Sequence, residues 1–208
     1  MAAPASVTIK SLDGKWVINK THSDPIDPVL ALQGVGWLTR KAVGLATVTQ
    51  HLTTSTSGPS PTLTIDQVAT GGLKGTKESR VLDWEWQPPH TDWLFGTLKG
   101  KSRYTTLAAL AESGPNASGH DGPLIDEDRK FLCEGWLPET KDGEVIESFA
   151  ENEGAKWTGW QVWGFGDVDG QRWFVRRFVI RRIEGKGAGT PGTEVVRVRL
   201  CYEWAGDL

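Results

Sequence analysis

The stretch from Arg172 to Glu184 (RWFVRRFVIRRIE) carries arginine on both faces of one strand. Arg172, Phe174, Arg176, Phe178, Ile180 and Arg182 share one face, and Trp173, Val175, Arg177, Val179, Arg181 and Ile183 share the other. Whichever face turns inward brings a guanidinium into apolar surroundings, where it needs a carboxylate or an anionic ligand group to meet it. Glu85, Glu134 and Glu147 fall inside predicted strands and are the internal partners on offer. A second polar set lies in the last strand, where Arg199 and Tyr202 are three residues apart. On a regular strand they face opposite sides, and only a bulge would bring them together. The chemistry these groups suggest is polarisation of a substrate oxygen: Arg177 and Tyr202 on a carbonyl, Arg199 or Tyr202 on a carboxylate or enolate, and Glu85 as a carboxylate base.

Aromatic residues supply the other candidate contacts. The chain has 11 Trp against 2 Tyr and 6 Phe, and an indole buries a large area while directing one N–H at a partner. On the predicted strand Lys156 to Phe165, Trp157, Gly159, Gln161, Trp163 and Phe165 alternate with Thr158, Trp160, Val162 and Gly164, so both faces are aromatic. Trp157, Trp163 and Trp84 are the ring contacts proposed for a ligand. The same rings also suit ordinary packing across a sheet, and the arginines also suit structural ion pairs.

Other chemistries find little support in the spacing of the remaining residues. Four histidines and two cysteines are scattered without zinc-ligand spacing. No Ser-His-Asp, Cys-His or paired-carboxylate spacing is visible, although a barrel assembles its lumen from many strands. The segment Gly185 to Gly192 lacks the Lys-Ser/Thr ending of a phosphate loop and leads from strand to strand. A net charge of −3 argues against nucleic acid as a partner. No apolar run reaches the roughly 18 to 20 residues of a membrane span, and MAAPASVTIK lacks a leader's basic start and apolar stretch. The expectation is a soluble, cytoplasmic protein, with 208 residues and 38% hydrophobic content enough for one domain.

The elements that must position these residues follow from periodicity. Alternation of period two predicts ten strands: Gly14 to Lys20, Thr47 to Thr54, Thr62 to Ala69, Glu78 to Gln87, Trp93 to Thr106, Lys130 to Leu137, Glu144 to Glu151, Lys156 to Phe165, Arg172 to Glu184 and Thr193 to Trp204. Asp142-Gly143 and Asp169-Gly170 predict tight hairpins. The only convincing helical stretch is Asp27 to Ala46, split by Gly34-Val35-Gly36 into two short helices. Ser55 to Ser60, Glu112 to Pro123 and Gly185 to Gly192 read as long loops. Ten strands in succession imply closure into a mostly β, up-and-down barrel.

Two stretches carry a resemblance: Leu12-Asp13-Gly14-Lys15-Trp16, and Gly34 to Ala46 (GVGWLTRKAVGLA). They resemble the opening of the intracellular lipid-binding proteins, the fatty-acid-binding and retinoid-binding group, specifically over residues 12 to 50 and only architecturally beyond. The resemblance implies a ten-stranded calycin-type β-barrel enclosing a cavity, with a helix-turn-helix lid between strands one and two. It places Trp37 and Arg40 beside the portal, and Val35, Leu38 and Val43 packed down beneath the lid. Members that hold fatty acids carry an Arg-x-Tyr pair near the C-terminus, and the spacing of Arg199 and Tyr202 departs from it. This chain is also longer, with the surplus expected in the three loops.

Two function classes follow. The protein is a carrier that sequesters a hydrophobic, ring-containing small molecule, or the same cavity is the active site of a cyclase or isomerase of the pericyclase kind. Neither class calls for a cofactor.

Overall fold

The computed structural model describes residues 2–112, 125–183 and 194–208. Strand β1 (Gly14–Asn19) leads into helices α1 (Asp27–Leu32) and α2 (Trp37–Leu45). Strands β2 (Val48–Ser55), β3 (Thr62–Ala69), β4 (Thr76–Val81), β5 (His90–Asp92) and β6 (Gly96–Thr105) follow. Helices α3 (Leu107–Glu112), α4 (Asp126–Cys133) and α5 (Pro138–Lys141) come next, then β7 (Val145–Asn152), β8 (Trp157–Val168), β9 (Gln171–Arg182) and β10 (Val195–Trp204). The ten strands form one antiparallel sheet in the order β4-β3-β2-β1-β10-β9-β8-β7-β6-β5. Pairing of β1 with β10 joins its two halves, and the sheet curls into a nearly closed calycin-type barrel. The seam lies between β4 and β6. There the chain after β4 reaches across, with the Trp84 N–H donating to the Ser102 carbonyl at 2.8 Å and the Gln87 N–H to the Gly100 carbonyl at 2.9 Å.

The lid is the one the sequence predicts, split at the Gly34-Val35-Gly36 corner where Gly34 takes φ +85°. Val29, Leu30, Leu32 and Val35 are buried, but Leu38 is 75% exposed and does not pack down. Arg40 ties the two helices together, its Nε donating to Asp27 at 3.2 Å and its Nη1 to the Val35 carbonyl at 2.9 Å.

Several expectations are corrected. Lys130 to Leu137 is not a strand: most of it lies in α4 and the turn after it, because Leu132 and Trp136 recur at helical rather than strand spacing. Asp27 to Ala46 is therefore not the only helical stretch. Asp142-Gly143 ends α5 instead of forming a hairpin, whereas Asp169-Gly170 turns β8 into β9 with φ of +53° and +76°. The strand predicted over Glu78 to Gln87 ends at Val81, and Trp84 sits at φ +62°. The count of ten is kept by β5, a short strand whose turn is capped by Asp92, which accepts from the N–H groups of Leu94 and Phe95. Of the loops expected over Glu112 to Pro123 and Gly185 to Gly192, Glu112 instead ends α3, and residues 113–123 and 185–192 lie outside the described residues.

Helices α3 to α5 explain why β8 is aromatic on both faces. Inside the barrel, Trp16, Trp163, Phe174 and Tyr202 pack together. Outside it, Leu110, Leu132, Trp136, Val162 and Trp173 form a second core. Gly164 makes the outer layer possible, since a Cβ there would lie 2.5 Å from Thr140 Cγ2 and 3.2 Å from the Trp136 ring. Asp128, fully buried, fastens α4 to the sheet through ion pairs with Arg181 and Arg197.

Asp128→Ala strips the compensating carboxylate from two guanidiniums that keep some solvent. Urea unfolding should show a loss of about 2–4 kcal/mol, and a change within error would mean α4 is held by its apolar contacts alone.

Candidate functional site

A cavity of about 440 Å³ lies between the lid and the inner face of the sheet. Its walls are largely apolar, with Val29 and Leu30 from α1, Val43 from α2, and Trp157, Phe178 and Ile180 from β8 and β9. Strand alternation decides which side chains reach it. On β9, Phe174, Arg176, Phe178 and Ile180 point inward, while Trp173, Val175 and Val179 point into the outer core.

The inward arginine is Arg176, only 5% exposed. Its Nη2 donates to Gln161 Oε1 at 2.7 Å, and its Nη1 donates to Gln50 Oε1 at 3.1 Å and to the Tyr202 hydroxyl at 3.4 Å. Its guanidinium lies 3.8 Å from the centroid of the Trp163 ring. Gln50 is steadied by a relay in which its Nε2 donates to Gln67 Oε1 at 2.9 Å and Gln67 Nε2 donates to Thr76 Oγ1 at 2.8 Å. Beside this group, Arg80 Nη2 pairs with Glu78 at 2.8 Å and Nη1 donates to Ser148 Oγ at 2.9 Å.

The electrostatics follow from burial. Desolvation pushes the Arg176 guanidinium below its ordinary value, with the neighbouring Tyr202 working against that. Burial lifts the Tyr202 hydroxyl above its ordinary value despite Arg176, so it is held as a protonated donor. Burial alone would raise Glu78, but the Arg80 guanidinium, helped by Arg176 and His90, brings it below the ordinary carboxylate range. Glu78 is thus ionised and committed to Arg80, and Arg176 has neutral hydrogen-bond partners around it.

The sequence-proposed residues divide between inside and outside. Trp157 and Tyr202 line the cavity, and Trp163 lies under Arg176. Arg177 lies on the outer face, where its Nη1 donates to the Phe131 carbonyl at 2.9 Å beside α4. Arg199, opposite Arg177 in the β10–β9 register, donates to the His22 carbonyl at 3.1 Å. The register between β9 and β10 runs without a bulge, so Arg199 and Tyr202 stay on opposite faces. Glu85 is exposed in the turn after β4, and Glu134 is exposed at the end of α4. Glu147 is buried but faces outward, taking bonds from Arg103 Nε at 2.7 Å and Trp160 Nε1 at 3.0 Å. Trp84 packs beside Trp160 with the Arg103 guanidinium 4.2 Å from its ring centroid. Trp37 is 62% exposed on the lid, and Arg40 serves as the tether between its helices. Sequence reasoning misses Gln50, Gln161, Arg80 and Glu78 as site residues. Gln161 carries a signal: it is the one hydrogen-bonding side chain that is not an indole on the Trp157-to-Phe165 face of its strand.

No family model matches the chain. It is 32% identical over 208 residues to the "Probable pericyclase scpY" of Mollisia scopiformis, covering 99% of this chain and 95% of that protein. It is 28% identical over 212 residues to the "Pericyclase pydY" of an Acremonium species, covering 99% and 98%. Among solved structures, a Schistosoma mansoni fatty acid binding protein in complex with arachidonic acid superposes with a TM-score of 0.53 at 14% identity, covering 96% of this chain and 99% of that one. The REP1-NXSQ fatty acid transporter gives 0.50 at 15%, covering 95% and 97%. At that identity the likeness is one of fold.

Glu78→Gln tests the electrostatics. A carboxyl held below its unfolded value contributes stability above that value and loses it as pH falls through the folded one. The variant should therefore be less stable than the wild type at neutral pH, with the gap closing below the ordinary carboxylate range. Parallel thermal-melt curves down to acid pH would contradict the Glu78–Arg80 pairing.

Proposed function

The chain belongs to the family of the probable pericyclase scpY, and from that premise we propose that it folds a hydrophobic precursor inside the barrel and catalyses its cyclisation or isomerisation. The observation that supports this reading is Arg176, a buried cation whose hydrogen-bond partners are amides and a phenol, at the floor of a cavity whose nearest ion pair, Glu78–Arg80, is closed on itself. A buried charge left with neutral partners is costly to keep, and a substrate oxygen that gains electron density as bonds reorganise would gain from it.

A pericyclic ring closure moves electrons only within the substrate, so two contributions suffice. Apolar walls from the lid, β8 and β9 would hold a flexible chain in the folded, reactive conformation, which removes entropy otherwise lost at the barrier. Tyr202, kept protonated by burial, would polarise a carbonyl conjugated to the reacting carbons, with Arg176 behind it. This reading gives neither role to Arg177, Arg199 or Glu85, none of which lines the cavity. Carriage of the same hydrophobic molecule is the competing reading, because the barrel likeness extends to fatty-acid-binding proteins.

The deciding experiment incubates a panel of linear, carbonyl-bearing polyene precursors with and without protein. The expected outcome is a product whose rate or stereochemistry departs from the spontaneous background, and a loss of about tenfold to a thousandfold in turnover for Arg176→Met with a smaller change in binding. Saturable uptake that leaves every rate and product ratio unchanged would make the protein a carrier.

A further inference from the structure

We infer that the cavity floor selects a substrate head that only accepts hydrogen bonds, a carbonyl or enolate oxygen, through two donors: the Gln161 amide nitrogen and the Tyr202 hydroxyl. Arg176 acts behind them as a positioning residue. The inference rests on the cavity being the binding site, as proposed above, and it adds the selection against head groups that must also donate and the part played by Gln161.

The orientation of Gln161 follows from its neighbours. Its Oε1 accepts from Arg176 Nη2 at 2.7 Å and from Trp163 Nε1 at 3.1 Å. Both partners are donors only, since a guanidinium and an indole N–H have nothing to accept with. The opposite flip would set N–H against N–H twice over, so the oxygen is fixed on the protein side. The NH2 end of the same planar group is then left toward the cavity, whose wall Gln161 forms. Tyr202 is poled in the same sense. Its oxygen takes a hydrogen bond from Arg176 Nη1, and it keeps its own proton to give.

Arg176 is engaged with protein on several sides. Nη1 serves Gln50 and Tyr202, Nη2 serves Gln161, and Nε is sealed from solvent without a hydrogen-bond partner among the described residues. Its plane lies against Trp163. The relay from Gln50 through Gln67 to Thr76 holds the remaining amide in the same polarity. The cation's influence thus reaches a ligand through oriented dipoles, and the donors it orients would meet a lone pair. An alcohol or ammonium head, which must also donate, would find no acceptor aimed at it from Gln161.

Matched probes test this on the full chain: 6-propionyl-2-dimethylaminonaphthalene, the carbinol made by reducing its ketone, and the 6-carboxylate of the same ring. Affinities are read by fluorescence, and the bound ketone by its infrared carbonyl stretch. The wild type should hold the ketone about tenfold more tightly than the carbinol, with the stretch lowered relative to dry alkane. Gln161→Met and Tyr202→Phe should each cut that preference by about two- to tenfold and move the stretch back, while uptake stays saturable. Each variant removes a different donor, so either one that folds is decisive. Equal binding of ketone and carbinol, or a preference and stretch unmoved by both variants, would overturn the donor assignment and leave the cavity reading standing. A dominant preference for the carboxylate that neither variant changes would overturn it too, assigning the head group to Arg176 directly. Failure of the wild type to take up any of the three would sink the cavity reading, and the donor assignment with it.

Discussion

A guanidinium inside a barrel is the constraint around which this molecule is arranged. Removing Arg176 from water costs several kcal/mol even after relaxation, and hydrogen bonds and a ring face must offset that. Gln161 from β8, Gln50 from β2 and Tyr202 from β10 each present an accepting oxygen to it, so one side chain on β9 joins the strands before and after it to β2, which is distant in sequence. Trp163 serves twice, as the surface against which the guanidinium lies and as the donor that orients Gln161. Each of these partners is itself held. Gln50 reaches Gln67 and Thr76 across the next two strands, and Tyr202 packs against Phe174 with ring centroids 5.3 Å apart. A polar cluster so connected has few alternative arrangements.

The outer core supports the same rigidity from the other side. A barrel wall with one face in solvent would alternate apolar and polar residues, but β8 is buried along nearly its whole length on both faces. The helices inserted between β6 and β7 cover it, and Asp128 neutralises two outward arginines there. The arginine-rich strand is therefore resolved by two different solutions. The outward guanidiniums, and Arg172 and Arg182 at the two ends of the other face, find carboxylates or carbonyls, whereas Arg176 in the middle of that face finds amides and a phenol.

Much of the architecture was legible because its signals are local. The Gly-x-Trp start, the glycine corner of the lid and Asp169-Gly170 each act within a few residues, and all are where the sequence places them. What failed depended on tertiary context. Residues 130–137 alternate well enough to pass for a strand, and only the exposed apolar flank of β8 and β9 makes a helix there the better burial. Whether Arg176 or Arg177 faces the interior is a question of parity. Both faces of β9 carry apolar and cationic residues, so alternation alone leaves the inward face open, and the outer core that decides it is made by segments far away in sequence. Glu85 lies beyond the barrel wall because the strand expected to carry it stops at Val81.

The seam between β4 and β6 gives the barrel one compliant hoop. Elsewhere the wall is a continuous ladder, but here the Trp84–Ser102 and Gln87–Gly100 backbone bonds and the Arg80–Ser148 side-chain bond span the gap, each worth about 1 kcal/mol net. Because Gly100, Ser102 and Gln87 also line the cavity, widening the interior at this place costs less than parting a long ladder such as that of β8 with β9. A guest that changes shape while inside would meet stiff resistance from the arginine floor and little from this flank. The container is thus anisotropic, with one wall that templates geometry and another that yields to volume.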